Sequence, residues 1–294
     1  MAGRIVILSD THLGRPSCAA LSAEALRPLW RGASHLIVNG DLAEVHHPQH
    51  WAQAAQQTMH LLDLCEQDAV ALTLLSGNHD PFISEVRHLH LADGQVFVTH
   101  GDALHPAVAP WSPAAGRMRK AHEEALAAIE PESRNHLESR LKASQHASHA
   151  EWTQMEEEAS HSTVRGMLLR PWAIVQVLHY WTVFPKLVSA FIEEHAPQAR
   201  FAILGHTHRP GIWTINDRVL INTGAFGFPG KPRAVCLDGE TLTVWPIHLR
   251  GKRYEFGSKP LAEYQLEIES HHGGADPSAV KTRPGSERPK AAAM

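Results

Sequence analysis

The chain reads as an α/β domain interrupted by a helical insertion, and three observations carry that reading. Between residues 4 and 102, short β-rich runs alternate with helical text, the pattern of layered α/β domains. Residues 107–195 then lose almost all β character, and strand-like text returns from Ala199. Five of the strand-like runs end in Asp, Asn or His. In α/β sheets ligands bind outside the carboxyl ends of the strands, so five such endings predict one polar, metal-binding site.

Each element follows from local pattern. Ile5-Val6-Ile7-Leu8 predicts the first strand and ends in Asp10-Thr11-His12. Residues 22–30 predict a helix. Leu36-Ile37-Val38 leads into Gly40-Asp41. Over residues 50–67, Trp51, Ala54, Ala55, Met59, Leu62 and Cys65 recur at helical spacing. A strand over residues 70–75 ends in Gly77-Asn78-His79-Asp80, and Val96-Phe97-Val98 ends in His100-Gly101-Asp102. Pro110, Pro113 and Pro131 then punctuate helical text, with helices predicted over residues 117–129, 132–167 and 171–195. The middle piece is rich in Glu, Ala, Lys, Arg and Gln, as exposed helix is. Phe201-Ala202-Ile203-Leu204 ends in Gly205-His206-Thr207-His208. Runs at 212–215, 219–222, 234–237 and 242–248, with turns at Asn216-Asp217 and Asp238-Gly239, predict a meander that completes a second sheet. The text from about residue 271 to 294 is Gly, Pro, Ser, Ala and charge, which predicts a disordered tail. The expected organisation is one domain over residues 1–106 and 199–270, an insertion or cap over 107–198, and the tail.

Composition narrows the class. A chain of 294 residues suits one large domain with an insertion, and a hydrophobic content of 43% supports a full core. The net charge of -4 makes no electrostatic case for duplex nucleic acid, which attracts basic surfaces. Cys18, Cys65 and Cys236 are odd in number and far apart, so they spell neither a zinc ribbon nor a disulfide framework, which fits a reducing compartment. Met1-Ala2-Gly3-Arg4 runs straight into the first strand, so no signal peptide is expected. The most apolar window, residues 172–192, contains His179, Pro185 and Lys186 and lacks the unbroken length of a span. A cytoplasmic protein is expected.

Seven residues form the candidate ligand set: Asp10, His12, Asp41, Asn78, His100, His206 and His208. Imidazoles with carboxylates and an amide oxygen suit Mn, Fe or Zn. Seven are too many for one tetrahedral ion, whereas two ions sharing a carboxylate use them economically. In two-metal hydrolytic sites the ions clamp the attacking and leaving oxygens. His79 follows Asn78 directly, so its side chain leaves the backbone in another direction. It is the candidate general acid, with Asp80 as the carboxylate that orients it.

These motifs, in type, order and spacing, resemble those of the calcineurin-like metallophosphoesterases over about residues 4–102 and 199–250. That resemblance implies a two-sheet sandwich flanked by helices in αββα layers. It implies one ion on Asp10, His12, Asp41 and His208 and a second on Asp41, Asn78, His100 and His206, with Asp41 bridging. The implied reaction is hydrolysis of a phosphodiester, phosphomonoester or pyrophosphate by in-line attack of a metal-bound hydroxide, with two divalent ions, Mn2+ first. Gly40-Asp41-Leu42-Ala43-Glu44, His100-Gly101-Asp102 and Gly205-His206-Thr207-His208-Arg209-Pro210 are also similar to the UDP-diacylglucosamine hydrolase branch. That branch implies a nucleotide-linked lipid or sugar as substrate and a hydrophobic helical cap. It usually carries Arg where this chain has His79. The rival expectations are a nuclease or small-nucleotide phosphodiesterase, and a non-catalytic metal-binding scaffold of the same fold.

Outside the motifs, Arg209 is a candidate phosphate contact. Arg117, Arg119 and Lys120 read as a solvated helix face. Trp172, Val175, Leu178, Trp181 and Phe184 are expected to pack the insertion on the main domain, with peripheral contact at a membrane surface as the alternative. No metal role is expected for His46, His47, His50, His88, His90 or His105.

Overall fold

The computed structural model of the chain describes residues 3–17, 19–152, 171–227 and 230–267. In chain order its elements are β1 (Ile5–Leu8), α1 (Ala23–Leu26), β2 (His35–Asn39), α2 (Trp51–Gln67), β3 (Ala71–Leu75), β4 (His88–Leu91) and β5 (Val96–Thr99). Then come α3 (Ala115–Ala127), α4 (Leu137–Trp152), α5 (Pro171–His195), β6 (Phe201–Leu204), β7 (Gly211–Ile215) and β8 (Arg218–Asn222). The chain closes with β9 (Arg233–Asp238), β10 (Thr241–Arg250), β11 (Arg253–Phe256) and β12 (Ala262–Gln265).

Two mixed sheets result. The first has the order β11-β10-β9-β1-β2-β3, with β12 also on β10; the second has the order β4-β5-β6-β8-β7. Strands β1, β2 and β3 run parallel, as do β5, β6 and β8. Period-two alternation sorts the side chains between faces. Ile7, Ile37 and Leu75 of the first sheet join Val96, Val98, Phe201, Ile203 and Ile221 of the second in the core between the sheets. Val6, Leu8, Leu36 and Val38 face the other way, onto Leu26, Leu61 and Leu64 of the first helical layer. On the far side Phe97, Ala202, Leu204 and Leu220 receive Tyr180, Phe184, Val188 and Ile192 of α5. These strands are covered on both faces, which explains why they are unbroken apolar runs.

Four details refine or depart from the sequence expectation. The predicted meander splits: β7 and β8 join the second sheet, while β9 and β10 cross to the first, where β9 pairs antiparallel with β1. Both pairs bury apolar faces, so pattern alone cannot say which sheet receives them. Second, the last half of α5 packs on the second sheet as an outer layer of the sandwich, with Phe184 buried there as expected. Its first half differs, with Trp172 77% and Val175 53% exposed. Third, α2 buries Ala54, Leu61, Leu64 and Cys65, while Trp51, Met59 and Leu62 stay exposed. The edge strand β4 has no counterpart among the predicted runs, because His88-Leu89-His90-Leu91 alternates polar and apolar over only four residues. Part of the helix predicted over 132–167, Cys18 and the predicted tail lie outside the described residues.

Candidate metal centre

The ligand-bearing loops follow β1, β2 and β3 in one sheet and β5 and β6 in the other, so the site is built where two sheet edges meet. The first two loops run side by side. Asp10 N donates to Gly40 O (3.1 Å), His12 N to Asp41 O (3.0 Å) and Leu13 N to Leu42 O (2.8 Å). Glycines permit the close approach: a Cβ on Gly77 would overlap Asp41 Oδ1, and one on Gly205 would overlap Asp10 Oδ2.

All seven candidate ligands are brought together. Asp10, His12, Asp41 and His208 each place a ligand atom within 4.8 Å of the others. Asp41 Oδ2 lies 3.8 Å from His12 Nε2 and 3.3 Å from His100 Nε2, between two groups of donors. In the second group His206 Nδ1 lies 2.8 Å from Asn78 Oδ1, and the His100 and His206 rings are 5.4 Å apart.

Whether a cation fits can be decided from the imidazoles. His100 Nδ1 donates to Asn39 O (2.9 Å), His206 Nε2 to Val108 O (3.1 Å) and His12 Nδ1 to Glu44 Oε1 (3.0 Å). Each ring therefore has one nitrogen fixed by an acceptor, which turns the other lone pair toward the centre. There the lone pairs meet other acceptors. His206 Nδ1 faces Asn78 Oδ1, and buried His100 Nε2 faces Asp41 without any hydrogen-bond partner. His12 Nε2 faces His208 Nε2 at 3.0 Å. Acceptors facing acceptors in a buried site are resolved by a positive charge, and this donor set suits divalent transition ions. The residues fit a centre that holds divalent cations.

Without cations, protons fill that role. Burial pulls His100 down, but Asp41 beside it outweighs burial and raises it to about 10. Burial, aided by the charge on His100, drives His206 down to about 4. Burial also works against ionisation of Asp41, yet the surrounding histidines hold it well below the usual carboxylate range.

The backbone at these positions is strained. Asp10 (φ 51°), His12 (47°), Asp41 (52°), His206 (67°) and His208 (55°) all lie in the left-handed region. Such conformations cost on the order of 1–3 kcal/mol for a non-glycine residue and gather at functional sites.

His79 lies beside the ligands, and its partner is not the expected one. Asp80 accepts four backbone N–H groups, from Gly77 (2.8 Å), Leu42 (2.6 Å), Asp41 (3.1 Å) and Ala43 (3.3 Å). Asp80 therefore knots two ligand loops together and does not orient His79. Burial and the Asp41 charge pull Asp80 up to about 7, against those four N–H groups, which favour the carboxylate. The residue that holds His79 is Glu44, fully buried, whose Oε2 lies 3.0 Å from His79 Nδ1. Its Oε1 takes His12 Nδ1 and Arg15 Nη1, at 3.0 and 3.1 Å. Burial lowers His79, but Glu44 and Asp41 overcome it and bring it up to about 9. A carboxylate three residues after Asp41, inside the apolar text Leu42-Ala43-Glu44-Val45, is the signal that sequence reasoning passed over.

Arg209 is also placed differently from expectation. Its Nη1 donates to Trp181 O (2.6 Å), and its guanidinium lies over the Trp181 and Trp213 rings at 5.7 and 5.8 Å. Trp181 Nε1 in turn donates to Thr207 O (3.0 Å), so this arginine ties α5 to the last ligand loop. Helix α4 is tied in similarly. Trp152 Nε1 donates to Asn78 O (3.0 Å), and Ser144 and Arg87 both bond Asp102 Oδ2. Arg117, Arg119 and Lys120 are exposed on α3.

An αββα sandwich with such a centre at its strand ends defines a metallophosphoesterase-type protein. The sequence profile of the calcineurin-like phosphoesterase superfamily domain matches residues 4–241, and the chain belongs to that superfamily. No curated protein matches it in a sequence search. Among solved structures it is similar to a dimetal phosphatase from Danio rerio (12% identity, TM-score 0.44, covering 87% of this chain and 98% of that one). It is also similar to a single mutant of Vps29 from Entamoeba histolytica (10% identity, TM-score 0.42, 90% and 99%). A third is a predicted phosphoesterase from Streptococcus pneumoniae (15% identity, TM-score 0.37, 88% and 99%). Among the described residues no helix is long and apolar enough to cross a membrane.

Proposed function

We propose that the chain is a two-metal-dependent phosphoesterase that cleaves a phosphodiester, phosphomonoester or pyrophosphate bond. One observation carries the reading: three histidines, each fixed at one nitrogen, aim the other at a centre around Asp41. Asp10, His12, Asp41 and His208 would hold one ion, and Asp41, Asn78, His100 and His206 the other. Two bound divalent ions, Mn2+ first with Fe or Zn as alternatives, would supply charge neutralisation at the phosphoryl oxygens and an acidified water as nucleophile.

The chain's own residues do the rest. Glu44 accepts the Nδ1 proton of His79, leaving the Nε2 proton to move to the departing oxygen. Such proton transfer typically contributes about 10²–10⁴-fold. Asp80 keeps the Asp41 and Asn78 loops in register through its four N–H bonds. Among substrates, a nucleotide-linked lipid is favoured by one feature, the apolar Trp172, Val175 and Leu178 face exposed on α5. The same face is the candidate for peripheral contact with the inner face of a membrane.

The test begins with protein stripped of metal and reloaded with Mn2+, Zn2+ or Fe2+. It is then assayed on bis-p-nitrophenyl phosphate, a UDP-linked lipid and single-stranded DNA. Turnover that disappears with the metal and returns with it supports the reading. A correctly folded, metal-loaded protein that hydrolyses none of the three would leave the scaffold reading in its place.

A further inference from the structure

The flank of the site beyond His79 is a wall of flat rings that the reaction itself does not require. Trp152 packs its ring against His79 at 5.2 Å and is fastened there by its bond to Asn78 O. His149 lies one helical turn earlier on α4, on the same face, since residues three apart are neighbours on a helix surface. Phe82 stands 5.2 Å from His149, and His46 completes a triangle at 5.8 Å from Phe82 and 6.5 Å from His149. The three rings come from three different segments, the β2–α2 loop, the β3–β4 loop and α4. The β3–β4 loop is also bonded to α4, where Gln145 donates to Pro81 O.

Two features mark this wall as a binding surface rather than core. Phe82 is 53% exposed although it follows buried Asp80 and Pro81, which leaves a large apolar ring in water on the flank of the candidate centre. The wall is also chemically mixed: its imidazoles present π faces together with ring nitrogens that donate or accept. Burial lowers His46, with the charge on His149 adding to the effect, which favours its neutral ring. An acyl chain calls for a lining of carbon alone, which is the character of the Trp172 face on α5. A flat, uncharged, hydrogen-bonding ring calls for this one.

Resting on the phosphoesterase reading, in which His79 faces the leaving group, we propose that the Phe82–His149–His46 wall is the leaving-group subsite and that it takes a nucleobase. The geometry sets the scale. Trp152 is 5.2 Å from His79, and one further turn of α4 adds about 5 Å, so the open rings lie on the order of 10 Å beyond the proton donor. A nucleoside spans a similar length. In the step so assigned, a water oxygen bonds to phosphorus and the P–O5′ bond breaks. The His79 proton passes to O5′, releasing the nucleoside and inorganic phosphate.

Adenosine 5′-monophosphate and ribose 5-phosphate share the same leaving alkoxide and differ in the base, so they isolate this contact. On Mn2+-loaded full-length protein, kcat/KM for the nucleotide is expected to exceed that for the sugar phosphate by about tenfold or more, as a stacked base provides. F82A and H149A should bring that ratio toward one by lowering the nucleotide value. Equal values in the unmodified protein, or an equal loss for both substrates in the variants, would overturn the proposal. Calorimetric binding of the two ligands to the same loaded protein separates this from failure of the catalytic reading. A nucleotide that binds tighter than the sugar phosphate without turnover keeps the subsite and sinks the enzyme. Equal binding sinks the subsite whatever the turnover.

Discussion

Replacing Glu44 with Gln tests the proposed role of His79 as proton donor and of Glu44 as the carboxylate that controls it. The change is isosteric, in a fully buried side chain, so packing is preserved while charge is lost. Three donors converge on this carboxylate: His12 and Arg15 on Oε1, His79 on Oε2. A glutamine has one oxygen and one NH2. With its oxygen toward His12 and Arg15, the NH2 faces His79 Nδ1, which must then give up its proton and become an acceptor. Losing a hydrogen bond to a charged group costs about 1.5–3 kcal/mol, or roughly 10–150-fold in rate if the transition state carries it all.

The pH profile gives the sharper readout. His79 sits above its ordinary value, at about 9, so its imidazolium form adds stability below the unfolded value. That contribution is lost as pH rises through the folded one. Glu44 and Asp41 both raise it; in the proposed metal-loaded form the cations would neutralise Asp41 and leave Glu44 as the support. In E44Q the descending limb of kcat against pH should therefore move toward the ordinary imidazole range, with kcat at pH 8 down about 10–100-fold. E44D should keep the limb while losing rate through shortened reach. A limb at the same pH in E44Q, with kcat within twofold of the unmodified protein, would refute the assignment.

Other expectations are briefer. H79A should lower kcat by about 10²-fold or more with metal content unchanged by elemental analysis, whereas D41N should lose metal and activity together. Because the metal-free centre holds a proton on His100, cation binding at pH 7 should release protons, read as a dependence of calorimetric heat on buffer ionisation enthalpy. R87M strands buried Asp102, whose carboxyl Arg87 holds below its ordinary range against burial; it should cost about 3–5 kcal/mol in urea unfolding. In the unmodified protein the Asp102 contribution is present above the unfolded carboxyl value and lost as pH falls through the folded one. Cys65 and Cys236 are buried with thiols raised to about 11, so the native protein should label them slowly at pH 8 and the unfolded protein at once.

Much of the ligand edge was legible because each strand is a continuous apolar run and its punctuation is a metal-ligand type. What was not legible has physical causes. Strands β7 to β10 all read as apolar β text between turns, and nothing in that text names a sheet, so their division depends on which edge is free when β1 and β6 are placed. The role of Asp80 was misread because adjacency to His79 suggested contact, whereas consecutive side chains diverge. Its true partners are N–H groups up to 39 residues away in sequence. Glu44 reaches both His12 and His79 only because the two loops are folded side by side, a relation no local pattern contains.

The left-handed ligands explain how one site tolerates so much conflict. Five non-glycine residues with positive φ, each costing energy, persist only where the surroundings over-determine them. Here the surroundings are parallel strands buried on both faces immediately before each ligand, and loops that bond one another through Asp80 and the Gly40 and Asp41 carbonyls. Glycine at those positions would relieve the backbone but supply no ligand. The rigid strands therefore hold ligand geometry before any cation arrives, and the cost falls on the fold rather than on binding. Side chains facing one another as acceptors are left with a stability that ions improve. Metal removal should accordingly lower the unfolding midpoint without changing the far-ultraviolet circular dichroism of the native state.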